Sequence, residues 1–260
     1  MKALRILAVA AAALGAGPAL AQDPGYGATG ADIVIELGGG VAVQPRWEGS
    51  DDIIFSPWPI VSLKYLSLGP VTIGGGPKSA FSIRPDFALR GERDDNDDAA
   101  LTGIGDVDMA VELGLAASYR YGPVEASLAV RHGFGGHDGF VGEASVVGIA
   151  NPTPRWTIQA GPEVTFADDN YMETYFGVSA TQSAASGLAR HDAGASFKSA
   201  GIIAESRYDL TDSVALHAKA SWHRLLGDAA DSPIVKAAGS EDQFTAGVGL
   251  SYRFSLDLFD

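Results

Sequence analysis

Histidine occurs at positions 132, 137, 191, 217 and 223, and the chain has no cysteine. Two of the five stand beside an aspartate, in "GHDG" (His137, Asp138) and in "RHDAG" (His191, Asp192). A histidine oriented by a carboxylate is the usual base of nucleophilic hydrolysis. Neighbours on an extended chain point to opposite sides, so adjacency alone builds no dyad. No serine occupies a G-x-S-x-G elbow, and no two histidines have the spacing of a zinc-binding helix. We therefore expect a non-enzymatic protein with no catalytic residue set, no cofactor and no metal centre.

Four acidic stretches offer carboxylate oxygens to a hard cation: "EGSDD" (48–52), "RDDNDD" (93–98), "GDVD" (105–108) and "ADDN" (167–170). None has the ordered ligand positions and turn glycine of a calcium loop, so the reading is solvated loop charge. A softer reading has them share cations with the phosphate groups of surrounding lipid. His217, Lys219 and His223 have one parity and so share one face of a strand, as a proton-sensitive cluster or as satisfied structural polar groups.

The elements that would carry these residues are ribbons of period two. In "DQFTAGVGLSYRF", Phe244, Ala246, Val248, Leu250, Tyr252 and Phe254 alternate with Gln243, Thr245, Ser251 and Arg253. The same alternation runs through residues 81–89, 107–119, 124–134, 156–166, 200–210 and 214–222, and less cleanly through 33–43, 55–65 and 140–150. Nearly every ribbon has charges in mid-strand, and each is longer than the ~5–6 residues usual in a soluble sheet. A cation at the lipid midplane costs ~2–4 kcal/mol, so Lys64, Arg84, Arg120, Arg131, Arg207 and Lys219 must face an interior. Glu36, Asp86, Asp108, Glu112, Glu125, Glu143, Glu163 and Glu205 share it, which predicts an ion-paired, filled lumen.

The expected fold is all-β: a closed antiparallel transmembrane β-barrel of 12 strands, with 10 as the alternative. Twelve requires a split of residues 71–89 at "GGGPK" and a further strand at 171–178. Short connections at 120–123, 151–154 and 210–213 belong to one end, and long ones at 90–106, 167–196 and 225–242 to the other. Trp47, Trp58, Tyr65, Tyr119, Trp156, Tyr208, Trp222, Tyr252 and Phe254 suit interfacial girdles. The runs "LGGGVAV" and "IGGGPKS" read as barrel kinks and close packing rather than phosphate cradles, because neither leads into a helix.

Lys2 and Arg5 precede an apolar run that ends in Ala19-Leu20-Ala21, the order of a secretory signal peptide. We expect residues 1–21 to be removed and residues 22–260 to form one outer-membrane barrel domain. The net charge of -14 argues against nucleic acid as a partner.

Six stretches go further than periodicity: "EGSDD", "GIGDVDMAVELG", "GHDGF", "WTIQAGPEVTFADDNYMETYFGVSATQSAASGL", "DAGASFKSAG", and "SWHRLLGDAADSPIV" with "QFTAGVGLSYRF". Through them the chain resembles the MltA-interacting protein (MipA)/OmpV family of Gram-negative outer-membrane proteins, from about Glu36 to Phe254. The resemblance implies residence in the outer membrane among lipid and lipopolysaccharide, and a scaffold joining a lytic transglycosylase to a peptidoglycan synthase. Porin-like and adhesin roles are implied as alternatives, and no catalytic residues are. One departure concerns the end of the chain, where "SLDLFD" follows the aromatic Phe254 at which members of the family usually stop.

Overall fold

The structure, a computed structural model, describes residues 31–68, 71–74 and 80–257. The expected signal peptide lies outside the described residues. A single antiparallel sheet of 11 strands runs in the order β3-β2-β1-β11-β10-β9-β8-β7-β6-β5-β4. Its members are β1 (Ile33–Pro45), β2 (Ile53–Leu68), β3 (Val71–Gly74), β4 (Phe81–Arg90), β5 (Ala110–Tyr121), β6 (Val124–Gly135), β7 (Phe140–Thr153), β8 (Trp156–Ala167), β9 (Ser196–Asp209), β10 (Val214–Leu225) and β11 (Asp242–Leu256).

The sheet curls so that the two faces of each ribbon meet different surroundings. Leu113, Leu115, Tyr119, Leu128, Val130, Ile202, Val248 and Leu250 are exposed on the outer face. Glu36, Asp86, Glu112, Glu125, Arg131, Gln159 and Arg207 are buried on the inner one. This is inside-out relative to a soluble sheet and matches a wall with hydrocarbon outside. Hydroxyl pairs bridge neighbouring strands on the inner face: Ser82 with Ser118 at 2.8 Å, Ser127 with Ser145 at 2.7 Å, and Thr165 with Ser199 at 2.7 Å.

Glycines set the approach of β1 and β11. A Cβ on Gly38 would stand 2.2 Å from the Leu250 carbonyl oxygen, and one on Gly40 would stand 2.1 Å from that of Val248. The first glycine run thus serves close packing, while the second, from residue 75 on, lies outside the described residues. Gly122, with φ 58°, makes the two-residue β5–β6 hairpin turn, where positive φ fits the twist of the flanking strands.

Two expectations fail here. The strand at 171–178 is a helix, α1 (Asp169–Phe176), because the Asp168 carboxylate accepts from the Tyr171 N–H and caps it. Tyr171, Met172, Tyr175 and Phe176 then form one buried helical face, which a period-two reading misses. The split after β3 does occur, so the described residues hold 11 strands rather than 12 or 10. At the chain's end β11 continues to Leu256, whose carbonyl accepts from Asp32 at 2.9 Å, so the extension lengthens the strand before it ends.

The long connections also fold. With α1 come α2 (Ala180–Ser186), α3 (Gly227–Asp231), α4 (Pro233–Ala238) and a 3-10 turn (Ala99–Leu101). They form a dome over one end of the sheet, where Tyr171, Met172, Phe176, Leu101 and Val178 have no exposed surface. Polar ties join all three connections: Gln182 Nε2 donates to the Ile104 carbonyl at 2.6 Å, and Ser232 Oγ to that of Phe176 at 2.7 Å. Among the described residues no helix is long and apolar enough to cross a membrane.

Candidate functional site

The inner face places its charges in three groups. Nearest the short turns, Glu36 of β1 receives two hydrogen bonds from Arg207 Nη1, at 2.5 and 2.7 Å. His217 Nε2 lies 2.8 Å from the same carboxylate and Lys64 Nζ 3.5 Å from it, and the Ser251 hydroxyl donates to it. Four strands thus converge on one acid.

Further along, Arg131 is 1% exposed and is shared by three carboxylates: Asp86 at 2.6 Å, Glu112 at 2.9 Å, and Glu143. Arg90 Nε donates to the far oxygen of Glu112 at 2.7 Å. All three carboxylates are paired with a guanidinium, as buried ions require, and Asp86 Oδ1 alone of their oxygens is buried without a hydrogen bond.

At the dome, Lys198 of β9 contacts Glu48 at 2.5 Å and the Tyr171 hydroxyl at 3.2 Å, and that hydroxyl donates to Glu48. The Lys198 ammonium also stands 4.6 Å from the Tyr171 ring centre. This cluster fastens α1 to the wall.

The histidine–aspartate neighbours do not form dyads. His137 is enclosed, 3.3 Å from Glu112 and edge-on to Tyr171, while Asp138 is exposed. His191 Nε2 meets the Asp228 carbonyl at 2.8 Å, and Asp192 pairs with Arg190 at 3.1 Å. His217, Lys219 and His223 do share the inner face but take separate partners: Glu36, the ring of Trp58 at 4.6 Å, and Glu163 at 3.1 Å.

The acidic stretches disperse. Glu48 joins the dome cluster, Asp168 caps α1, and Asp169 accepts from the Ala195 N–H at 2.5 Å. Asp94, Asp95 and Asp106 gather their carboxylates within 4.8 Å, where backbone donors of Asp95 and Asn96 already engage Asp106 and Asp94. Three expected girdle residues are corrected: Trp47 is buried in the dome core, Trp58 lies inside over Lys219, and Tyr65 packs against the buried Ala31 and Val34. Outward-facing Tyr119, Trp156, Tyr208, Tyr252 and Phe254 form a belt toward the short turns. Phe134, Phe140, Phe166, Phe197, Trp222 and Phe244 form a second toward the dome, a belt that expectation had represented only by Trp222.

Between the dome and the middle of the interior lies a cavity of about 250 Å³, lined from β1, β4, β7, β8, β9, β10 and β11. Its walls include Trp47, Arg93, Tyr175, Glu205, Lys219 and His223. Periodicity predicted the inner face but not this enclosure, whose roof is the α1 segment read as a strand.

The family model for the MltA-interacting protein MipA matches residues 37–254. YiaT of Escherichia coli (strain K12), described provisionally as an outer membrane protein, is 30% identical over 167 residues, covering 62% of this chain and 63% of YiaT. The same figures hold for YiaT of Escherichia coli O157:H7, so the chain spans about 63% of the length of these relatives. Among solved structures, an outer membrane channel of Pseudomonas putida F1 is 12% identical with a TM-score of 0.47, over 86% of this chain and 96% of that one. OmpT of Vibrio cholerae is 9% identical with a TM-score of 0.36, over 86% and 97%.

Proposed function

Because the chain belongs to the MltA-interacting protein MipA family and resides in the outer membrane, we propose that it is a closed, domed β-barrel with a structural and scaffolding role. Its working surfaces are its ends, where it links the outer membrane to peptidoglycan-processing enzymes. The observation that carries this reading is the interior itself, in which ion pairs span several strands and a folded dome roofs one end. Closure of the ring is supported by the approach of the two terminal strands, with residues of β3 and β4 within 8 Å of one another. Contact with lipid and lipopolysaccharide is supported by the outer apolar face and its two aromatic belts.

The family's name supports a lytic transglycosylase of the MltA kind as one partner; docking on the short-turn end and a peptidoglycan synthase as the other partner complete the proposal. His137, enclosed by two tyrosine rings, and His191, bound to a backbone carbonyl, suit fixing of structure rather than catalysis. The test is co-purification from solubilised envelopes with the tagged full chain as bait. Recovery of a murein enzyme supports the scaffold, and its absence while a known envelope complex is recovered overturns it.

The cavity favours a second reading, a narrow channel for small solutes. Planar-bilayer recording distinguishes the two, since stepwise conductance belongs only to the channel.

A further inference from the structure

Arg93 follows β4 by three residues, is 3% exposed, and lines the cavity beneath the dome. Its Nη1 donates to the Tyr175 carbonyl at 2.8 Å. Its Nε meets no acceptor, and no carboxylate forms an ion pair with it among the described residues. Burial brings its pKa down to about 10, against the opposing fields of Tyr175, Asp106 and Asp97, so the guanidinium stays charged at neutral pH. Tyr175 lines the same cavity, and its hydroxyl is likewise buried without a partner. Burial raises its pKa, which keeps it a neutral donor.

A buried cation without an ion-pair partner is costly, and a buried donor left unmatched adds to that cost. Four of the five carboxylates that line the cavity have another partner, and the fifth, Glu92, is exposed to solvent. Glu48 is held by Lys198 and Tyr171, Glu143 by Arg131, Glu163 by His223, and Glu205 by Gln159. Arg46, on the same wall, is paired through Nη1 with Asp97 at 3.6 Å, and its Nε lies 3.9 Å from Asp52. Two connectors therefore place buried, unmatched donors, one of them cationic, in the wall of one cavity.

We propose that this corner is an oxyanion-binding site: the Arg93 guanidinium and the Tyr175 hydroxyl receive the carboxylate or phosphate group of a small solute. A planar guanidinium beside a phenol suits such a group, since charge-assisted hydrogen bonds to oxyanions are the strong ones. The cavity's size admits a small organic acid or a phosphate rather than a polymer. The site does not depend on the scaffolding role and would exist with or without it.

Trp47 lines the cavity and reports on it. The experiment titrates the refolded full chain in detergent with inorganic phosphate and, separately, succinate, following tryptophan fluorescence at ionic strength fixed with chloride. A saturable change with either anion is expected, and which of them binds tells phosphate from carboxylate. Tyr175→Phe keeps the ring and removes only the donor, so it weakens binding about tenfold; Arg93→Gln abolishes it. Heat-modifiable gel migration checks that each variant is folded, and if Arg93→Gln fails that check, Tyr175→Phe decides alone. No saturable response to either anion, or unchanged affinity in Tyr175→Phe, overturns the site.

Discussion

Lys198 on β9 places its ammonium 2.5 Å from the carboxylate of Glu48 in the β1–β2 connection, across 150 residues of chain. Tyr171, the first buried residue of α1, bonds to both, so the dome is fastened through one acid. Burial opposes ionisation of Glu48, but Lys198, Arg90 and the hydrogen bonds from Lys198 and Tyr171 outweigh it and hold the carboxyl below its ordinary 4.5. Folding therefore favours the ionised form. The stabilisation is complete above about pH 4.5 and is lost as pH falls below that toward the folded value. The phenol of Tyr171 moves the other way, raised by burial well above 10, so its contribution persists through neutral pH and declines only in strong alkali. We expect the dome, followed by Trp47 fluorescence, to loosen on acidification below pH 4.5. Glu48→Gln should lower stability by ~3–5 kcal/mol at neutral pH, because Lys198 stays buried without its counter-ion, and should flatten the acid limb. A steep acid transition retained in Glu48→Gln would assign the tether elsewhere.

Arg131 holds three acids, so it differs from a surface arginine in what its loss leaves behind. Arg131→Met strands Asp86 and Glu143 in the interior and leaves Glu112 to Arg90 alone, and the expected loss is about 3–5 kcal/mol. On the outer face of the facing strand β5, Leu115 has the opposite sensitivity, since Leu115→Arg puts a charge into hydrocarbon at ~2–4 kcal/mol. Urea unfolding in lipid vesicles and in detergent separates the two. Arg131→Met is weakened in both media, and Leu115→Arg chiefly in vesicles. Equal penalties for Leu115→Arg in both would contradict the outward orientation of that face.

Gly39 and Gly40 are neighbours with opposite requirements. A Cβ on Gly40 would press into the Val248 carbonyl, whereas one on Gly39 meets only the Trp58 carbonyl oxygen, at 3.9 Å. Gly40→Ala must spread β1 from β11 or distort both. Gly39→Ala should assemble like the parent, and Gly40→Ala should reduce the heat-modifiable folded fraction severalfold. Equal folding of the two variants would show that the wall relaxes around the added methyl.

The strands were legible because their two sides differ chemically. In β5, Leu113 and Leu115 face outward while Glu112 pairs with arginines inside, and alternation along one sequence records both. The dome was not legible, since its helices are short and rest on tertiary burial rather than on length or propensity. The signal was present: Asp168 stands three residues before Tyr171, and Tyr171, Met172, Tyr175 and Phe176 recur at helical spacing. Trp58 was misplaced because residue type was weighed over parity. It shares its parity with Ser56 and Ile60, both buried on the inner face of β2. The cavity donors could not be read at all, because Arg93 and Tyr175 meet only through the folding of two separate connections.

The remaining prediction concerns the two edges of the sheet, β2 beyond its short pairing with β3 and β4 on the other side. Arg46 N–H bonds to the Asp52 carbonyl, and with the β1–β2 register this turns the even-numbered residues of β2 toward β1 and residues 53, 55, 57, 59, 61 and 63 toward the open edge. The bond from Arg120 N–H to the Ala80 carbonyl fixes β4 in the same way, with odd-numbered residues facing away from β5. Pro57, Pro59 and Pro85 all fall on edge-facing positions, so three of the donors that would line these edges do not exist. An unpaired N–H in hydrocarbon costs several kcal/mol, and proline removes that cost where no ladder forms. β3 covers only Tyr65 to Leu68 of β2, so the rest of that edge meets no ladder among the described residues. Hydrogen exchange in detergent micelles should show the amides of Val61, Leu63, Phe87 and Leu89 exchanging on the order of tenfold faster than those of Ile60, Ser62, Asp86 and Ala88, which bond inward to β1 or β5. Uniform protection along both strands would mean that the ring is zipped by hydrogen bonds after all, and that the prolines sit in the wall for another reason.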